Sequence, residues 1–355
     1  MTGNLPPAVG RYAPKAFLGA GGMQNVFLAR DNVFERDVAL KVPKLDAQKA
    51  RFAKTAKVSA RINHPNIAKT LDYFVDENES PYLIEELVEG DDLGKVLGMG
   101  LPYLPPTLCA RIFHQLIKGL VASHSAGVVH RDLKPSNIMV VGGTRFEDVK
   151  ITDFGIAKMA EEEIAEWAEG EGQASTNSAT VLGAIPYMSP ESILDFRMSS
   201  YPSDVWAIAA IIFELLTGKK PFGGKLASVP RILAGVVPPL PSFCNKQQYK
   251  SLSNELDGII RSCLVVDPNN RPTASALESS LQEICYAMDI FEVAVVTRVP
   301  ESWYAFLSTS GTKSMMCHRD SLYGAGSFSE GDKLLVARHP GLPNDRAFPA
   351  VKFVS

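Results

Sequence analysis

Two stretches carry the residue types that phosphoryl transfer requires: His130-Arg131-Asp132-Leu133-Lys134-Pro135-Ser136-Asn137, and then Asp153-Phe154-Gly155. That reaction needs a carboxylate to orient an attacking hydroxyl and accept its proton. It also needs hard oxygen ligands for the Mg²⁺ that bridges the phosphates. Asp132 suits the first role, Asn137 and Asp153 suit the second, and Lys134 can hold the transferring phosphoryl group. Two weaker signals lie upstream. In the run Leu18-Gly19-Ala20-Gly21-Gly22, glycines sit between strand-like segments, where a backbone turn can aim amide N–H groups at phosphates. Alone, such a run is often just a hairpin turn. Lys41, in Val38-Ala39-Leu40-Lys41, sits on a strand just after that loop and can pair with nucleotide phosphates. Alone, it reads as a surface lysine.

The elements that must position these residues fall into three stretches. Tyr12 to Leu18, Asn25 to Arg30, Asp37 to Val42, Leu71 to Val75 and Tyr82 to Leu87 read as short strands, with a basic helix over Asp46 to Ile62 between them. From Thr107 the period becomes helical and stops at Gly127. Tyr201 to Thr217 is a second strong helix with Gly218 just past its end, and Ser251 to Val265 and Thr273 to Ala287 are further helices. After Met288 come short alternating runs, spaced by Ser310-Gly311 and Glu330-Gly331-Asp332, which is the pattern of a small all-β barrel. Between Met159 and Thr180 the chain is rich in Glu, Ser and Thr and has no core-forming pattern, so a loop is expected there.

The order and spacing of glycine loop, Lys41, HRDLKPSN and DFG resemble the eukaryotic-type protein kinases, most closely the bacterial serine/threonine branch. The likeness runs from about residue 11 to 287. It continues in Pro190-Glu191, where the family closes its activation segment, in Asp204-Val205-Trp206 at the head of a buried helix, and in Arg271, the usual partner of Glu191. The resemblance implies an α+β, two-lobed kinase fold, with an N-lobe over residues 1–88 and a C-lobe over 89–288. It implies Mg²⁺-ATP as cofactor and phosphate donor, bound by Leu18, Gly19, Ala20, Gly21, Gly22, Val26, Ala39, Lys41, Glu85, Glu86 and Val88. It makes Asp132, Lys134 and Lys41 catalytic and Asn137 and Asp153 metal ligands. It further implies a protein substrate with a Ser or Thr acceptor, and Ser175, Thr176, Ser178 and Thr180 as regulatory phosphorylation positions.

Four departures from the family pattern stand out. Gln24 replaces the third glycine of the loop. The helix glutamate that pairs with the strand lysine is missing: its position falls at Thr55, and no Asp or Glu occurs from Ala47 to Leu71. Glu85 takes the position behind the adenine pocket, where a lone carboxylate is costly. Either it reaches Lys41 and replaces the missing glutamate, or it is displaced by one residue and faces solvent with Glu86 at the hinge. Glu85→Gln should abolish ATP binding in the first case only. Ala184 stands where Ser/Thr kinases usually carry a Thr bonded to the catalytic Asp and Lys. The rival reading is therefore a pseudokinase: a nucleotide sensor or scaffold whose output is the C-terminal barrel. The segment Glu161 to Glu171 holds six Glu and no Lys or Arg. It is either a solvated acidic loop or a gate docking on Lys49, Arg51, Lys54, Lys57 and Arg61.

Residues 289–355 resemble a cold-shock domain, a five-stranded OB-type barrel. The resemblance places Tyr304, Phe306 and His318 on stacking positions for single-stranded nucleic acid, with Arg298, Lys313 and Arg319 beside them. The alternative is a small barrel that packs on the kinase and regulates it or binds protein, with Trp303 and Phe328 in its core. Composition adds exclusions. The chain has 355 residues, 46% hydrophobic and 21% charged, with a net charge of -3, which excludes a protein acting through bulk positive charge. Five scattered cysteines without a CxxC pair argue against a disulfide scaffold or a Cys-based zinc site. Neither a signal peptide nor a membrane-length apolar run is expected, so the expectation is a cytoplasmic protein.

Overall fold

In the computed structural model the described residues are 5–20, 24–44, 52, 56–77, 79–154, 182–309, 314–324 and 326–354. Gly21, Gly22, Thr55, most of the basic helix, the acidic segment and Ser175, Thr176, Ser178 and Thr180 lie outside them.

The N-terminal unit is a five-stranded antiparallel sheet of β1 (Tyr12–Ala20), β2 (Gln24–Asp31), β3 (Arg36–Pro43), β4 (Thr70–Val75) and β5 (Pro81–Glu86), in the order β1-β2-β3-β5-β4. Period-two alternation sends Phe27, Ala29, Val38, Leu40, Tyr82 and Ile84 to one face, where they form a core with Val9 and Tyr12. The other face carries Ala39, Lys41, Leu83 and Glu85. The β2–β3 turn is held by the buried Asp31, whose Oδ1 accepts from the Val33 and Phe34 amides at 3.1 and 3.2 Å.

The helical unit follows, with α1 (Leu93–Gly98), α2 (Pro106–Ser125), α3 (Pro190–Leu194), α4 (Tyr201–Thr217), α5 (Val229–Ala234), α6 (Gln247–Cys263) and α7 (Ala274–Glu283). Helix α2 starts on Pro106, whose missing N–H is no loss at a first helical position. Helix α4 is buried almost throughout. It opens on a Ser200–Ser203 capping box and closes on Gly218 in the left-handed region at φ 73°, where an added Cβ would sit 2.4 Å from the Pro102 carbonyl oxygen. Two corrections apply to the helix ends. Helix α6 begins at Gln247 rather than Ser251, and α7 ends at Glu283 rather than Ala287. A small sheet of β6 (Gly90–Asp92), β7 (Ile138–Val141) and β8 (Asp148–Ile151) was not expected from the sequence. Among the described residues no helix is long and apolar enough to cross a membrane.

The last five strands are β9 (Phe291–Glu301), β10 (Tyr304–Ser308), β11 (Met315–His318), β12 (Lys333–His339) and β13 (Asp345–Lys352), and they close a barrel in the order β10-β11-β13-β12-β9. The β11–β13 pair is parallel and the other pairs are antiparallel. Ala294, Val296, Ala305, Leu307, Leu334 and Val336 fill the barrel with Phe328. Trp303 does not join them: it stands half exposed at the β9–β10 turn. Outward-facing Phe291, Leu335, Ala337 and Val351, with Tyr323, belong instead to the core of the helical unit. Tyr323 is the pin. Its hydroxyl donates to the Leu216 carbonyl at 2.8 Å, and its ring stands edge-on to Tyr103, Phe243 and Tyr249 at 5.0–5.5 Å. Lys246 Nζ donates to the Leu322 and Gly324 carbonyls at 2.6 and 2.9 Å, and the Val354 amide reaches the Gly100 carbonyl at 2.8 Å.

Candidate active site

The cleft between sheet and helices is built from three pieces. The first is the non-core face of β3 and β5. Antiparallel register sets Ala39 opposite Glu85 and Lys41 opposite Leu83, so Lys41 and Glu85 are diagonal neighbours on one face. Both are 5% exposed, and the Glu85 carboxylate accepts a hydrogen bond from Lys41 Nζ. Of the two placements left open by the sequence, this is the first. Glu86 points elsewhere: its Oε1 meets Lys150 Nζ at 2.5 Å. Val88 follows β5, half-buried.

The second piece is the segment after α2. His130 is fully buried, with its ring at 2.8 Å from the Thr152 carbonyl. The His130 and Arg131 amides donate, each at 2.8 Å, to the two carboxylate oxygens of Asp204 on α4. This anchor allows Arg131 to hold φ 69°, an uncommon angle for a residue with a Cβ. The backbone therefore delivers Asp132 into the cleft. The Asp132 carboxylate accepts from Lys134 Nζ at 2.8 and 3.1 Å and from Asn137 Nδ2 at 3.1 Å. Asn137 Nδ2 also donates to the Asp132 carbonyl at 2.7 Å.

The third piece is Asp153. The β7–β8 pairing places Ile138 opposite Ile151, so Asn137 and Asp153 emerge side by side from one end of that hairpin. Asp153 adopts φ 63°. Its Oδ1 accepts from Lys41 Nζ at 2.7 Å and from Gln24 Nε2 at 2.9 Å. Burial pushes the Asp153 carboxyl up, but the Lys41 charge and hydrogen bond, aided by His130 and Lys134, hold it below the usual carboxylate range. Burial dominates at Glu85, whose carboxyl lies above its ordinary value despite Lys41. Lys41 is pulled down by burial, yet its two carboxylate partners raise it above its ordinary value, so it stays charged.

The structure thus brings Lys41, Glu85, Asp153, Asn137, Asp132 and Lys134 into one cleft. Leu18, Gly19 and Ala20 lie at the end of β1 and Val26 on β2, with Leu18 half exposed. Sequence reasoning missed two contributors. Asp204 was read only as the head of a helix, although it fixes the catalytic segment. Gln24 was read only as a replacement of the third loop glycine, yet it ties β2 to Asp153. The signal available for Gln24 was its amide in a position with no need for a side chain. Beside Ala184 and Asp132 lies a cavity of about 20 Å³, room for one water where a Thr side chain is usual in Ser/Thr kinases.

Below the cleft, Arg271 binds Glu191 through both guanidinium nitrogens at 2.7 Å and lies 4.9 Å over the Trp206 ring.

Residues 12–281 match the family model described as the protein kinase domain. The chain belongs to the protein kinase family. The sheet-rich and helical units are the two lobes of its kinase fold. Among curated relatives, the serine/threonine-protein kinase pkn3 of Myxococcus xanthus is 34% identical over 281 residues, 77% of this chain and 50% of its own length. Serine/threonine-protein kinase PknB of Mycobacterium leprae is 32% identical over 283 residues, 76% of this chain and 42% of its own. Serine/threonine-protein kinase PrkC of Bacillus subtilis is 32% identical over 279 residues, 77% of this chain and 40% of its own. The kinase domain therefore spans half or less of these relatives, and the likeness stops before the barrel.

Proposed function

We propose that this chain is a serine/threonine protein kinase that transfers the γ-phosphate of Mg²⁺-ATP to Ser or Thr hydroxyls of proteins. The observation that carries the reading is the convergence of Asp132, Lys134, Asn137, Asp153 and Lys41 in one cleft. Asp132 is oriented from both sides, by Lys134 and Asn137, so its carboxylate is aimed to accept a proton from an acceptor hydroxyl. Lys134 then lies beside the incoming phosphoryl group, and Lys41 is charged and fixed for the phosphates deeper in the cleft. A hard divalent cation fits the donor set. Among the described residues the hydrogen bonds to Asp153 fall on Oδ1, so Oδ2 can turn to a cation, and Asn137 offers its carbonyl oxygen. Among the described residues no group of three or more His, Cys, Asp and Glu is placed to hold a metal, in keeping with Mg²⁺ shared with substrate phosphates. When bound, Mg²⁺ would neutralise phosphate charge between Asn137 and Asp153.

The test is incorporation of labelled γ-phosphate by the full chain with Mg²⁺, wild type beside Asp153→Asn, with the modified residues mapped. Wild type should label on Ser or Thr, Ser175 to Thr180 included, and Asp153→Asn should lose all but a trace. ATP bound by the wild type without transfer would favour the pseudokinase reading instead.

A second reading concerns the barrel, and one observation favours it. It is supported by the closed five-stranded order with one parallel pair, β11–β13, the arrangement expected of the OB-type barrel that the sequence resembles. One face of the β10–β11 pair carries Tyr304, Phe306 and His318, with Met316 paired opposite Phe306. Trp303 lies 4.3 Å from Tyr304 and 5.6 Å from His318 between ring centroids, and Arg298 lies 4.9 Å over Phe306. Half-buried rings at the surface with a cation beside them suit stacked bases of a single strand. Single-stranded RNA or DNA should bind in a salt-dependent manner, and Tyr304→Ala with Phe306→Ala should weaken binding by about tenfold or more. Equal binding by wild type and double variant would remove this reading.

A further inference from the structure

We propose that Glu85 is the positioning residue for Lys41, so that the phosphate-binding lysine is set within the sheet and not by a carboxylate from the basic stretch between β3 and β4. The proposal rests on the kinase reading above and names a residue that acts through Lys41.

Three observations lead there. Lys41 is 5% exposed and its Nζ meets two carboxylates, Glu85 and Asp153. A buried ammonium needs such partners, and removing one leaves an uncompensated charge. Asp153 sits in the other lobe and is needed by the metal, so Glu85 is the partner free to serve Lys41 throughout the reaction. Next, the two residues are joined by covalent neighbours of one ladder. The Ala39–Glu85 and Lys41–Leu83 pairs fix their separation through backbone hydrogen bonds, and the small Ala39 side chain opposite Glu85 leaves the lane between them open. A contact written into register cannot be undone by a rigid shift of a helix. Last, the basic stretch between β3 and β4 supplies no carboxylate. Phe52 and Ala56 pack on Leu83 from the Lys41 side, and the sequence from Ala47 to Leu71 has no acid to offer. The carboxylate comes from β5.

The experiment uses the full chain with Mg²⁺-ATP and a generic Ser/Thr-containing acceptor protein. Four proteins are compared: wild type, Glu85→Gln, Glu85→Asp and Phe52→Ala. The readouts are kcat, KM for ATP, directly titrated ATP affinity and melting temperature. Glu85→Gln should raise KM for ATP and lower kcat, each by about tenfold or more, in a protein that remains folded. Glu85→Asp, which keeps the charge on a shorter arm, should recover part of both. Phe52→Ala should lower the melting temperature yet keep kcat within about threefold of wild type per folded molecule. Should Glu85→Gln fail to fold, Glu85→Met, which buries no orphaned polar group, makes the same comparison. Wild-type values in a folded Glu85→Gln overturn the proposal, as does a kcat loss in Phe52→Ala equal to that in Glu85→Gln. A wild type that transfers nothing sinks the kinase reading instead. ATP affinity then decides on Glu85: a loss in Glu85→Gln sustains its hold on Lys41, and an unchanged value overturns it.

Discussion

Asp132→Asn is expected to lower kcat for phosphoryl transfer by about 10²–10⁴-fold, with ATP affinity within about threefold of wild type. The side chain is held by three bonds from two donors, Lys134 Nζ at 2.8 and 3.1 Å and Asn137 Nδ2 at 3.1 Å. Its backbone is fixed independently, through the Asp204 bonds to the two preceding amides. An asparagine therefore keeps the position and most of the volume. What it loses is basicity: an amide oxygen accepts a hydrogen bond but does not take a proton at neutral pH. It also leaves Lys134 with a weaker partner, which turns a charge-assisted pair into an ordinary bond. The loss should therefore appear in single-turnover rate and not in nucleotide binding. Wild-type turnover in Asp132→Asn, with folding matched by melting temperature, would exclude Asp132 as the base.

The largest effect on stability is expected at Arg271. Its guanidinium carries no solvent exposure, meets both Glu191 oxygens at 2.7 Å, and also donates to the Pro202, Val265 and Val266 carbonyls at 2.8–3.0 Å. Arg271→Ala removes every one of these bonds and leaves the part-buried Glu191 without its counter-ion. Breaking a buried pair in this way costs about 3–5 kcal/mol, which in a unit of this size lowers the melting temperature by roughly 10 °C. The same pair has a pH signature. Burial raises the Glu191 carboxyl, but hydrogen bonds from Arg271, Ser203 and Ser189 outweigh it and hold the pKa below the ordinary glutamate value. A depressed folded-state pKa means stability fully present above the ordinary value and lost as pH falls through the depressed one. Wild type should accordingly lose stability on acidification below about pH 4, and Arg271→Ala should show a flatter acid limb. Parallel acid limbs in the two proteins would mean that Glu191 is not depressed by Arg271.

The residues of the cleft were legible because phosphoryl transfer demands a fixed set of groups in a fixed order, and local sequence carries that order. Which of Glu85 and Glu86 faces inward was not legible. A one-residue slip in register exchanges the two faces of a strand, and Pro81 to Val88 is too evenly mixed for alternation to decide. The small β6–β7–β8 sheet escaped notice because strands of three or four residues hold too few alternations. Helix α6 begins four residues early because Gln247 to Lys250 buries only Tyr249 in its first turn, and that ring is spent on the barrel. The docking of the barrel had a readable trace in the continuous apolar run Leu334-Leu335-Val336-Ala337. Such a run signals burial on both faces of a strand. Trp303 ran the other way: a large ring suggested a core, but its place in a two-residue turn puts it outside.

On the proposed kinase reading, the Lys41–Glu85 pair also bears on pharmacology. A competitive inhibitor that extends past the nucleobase meets the Lys41–Glu85 pair as its back wall and must separate two buried charges to go further. That desolvation is unfavourable for an apolar extension. Ligands that stop at the Glu86-to-Val88 edge avoid it. A scaffold carrying its own cation could trade places with Lys41 on Glu85, which gives this kinase a selectivity handle absent wherever the wall is apolar.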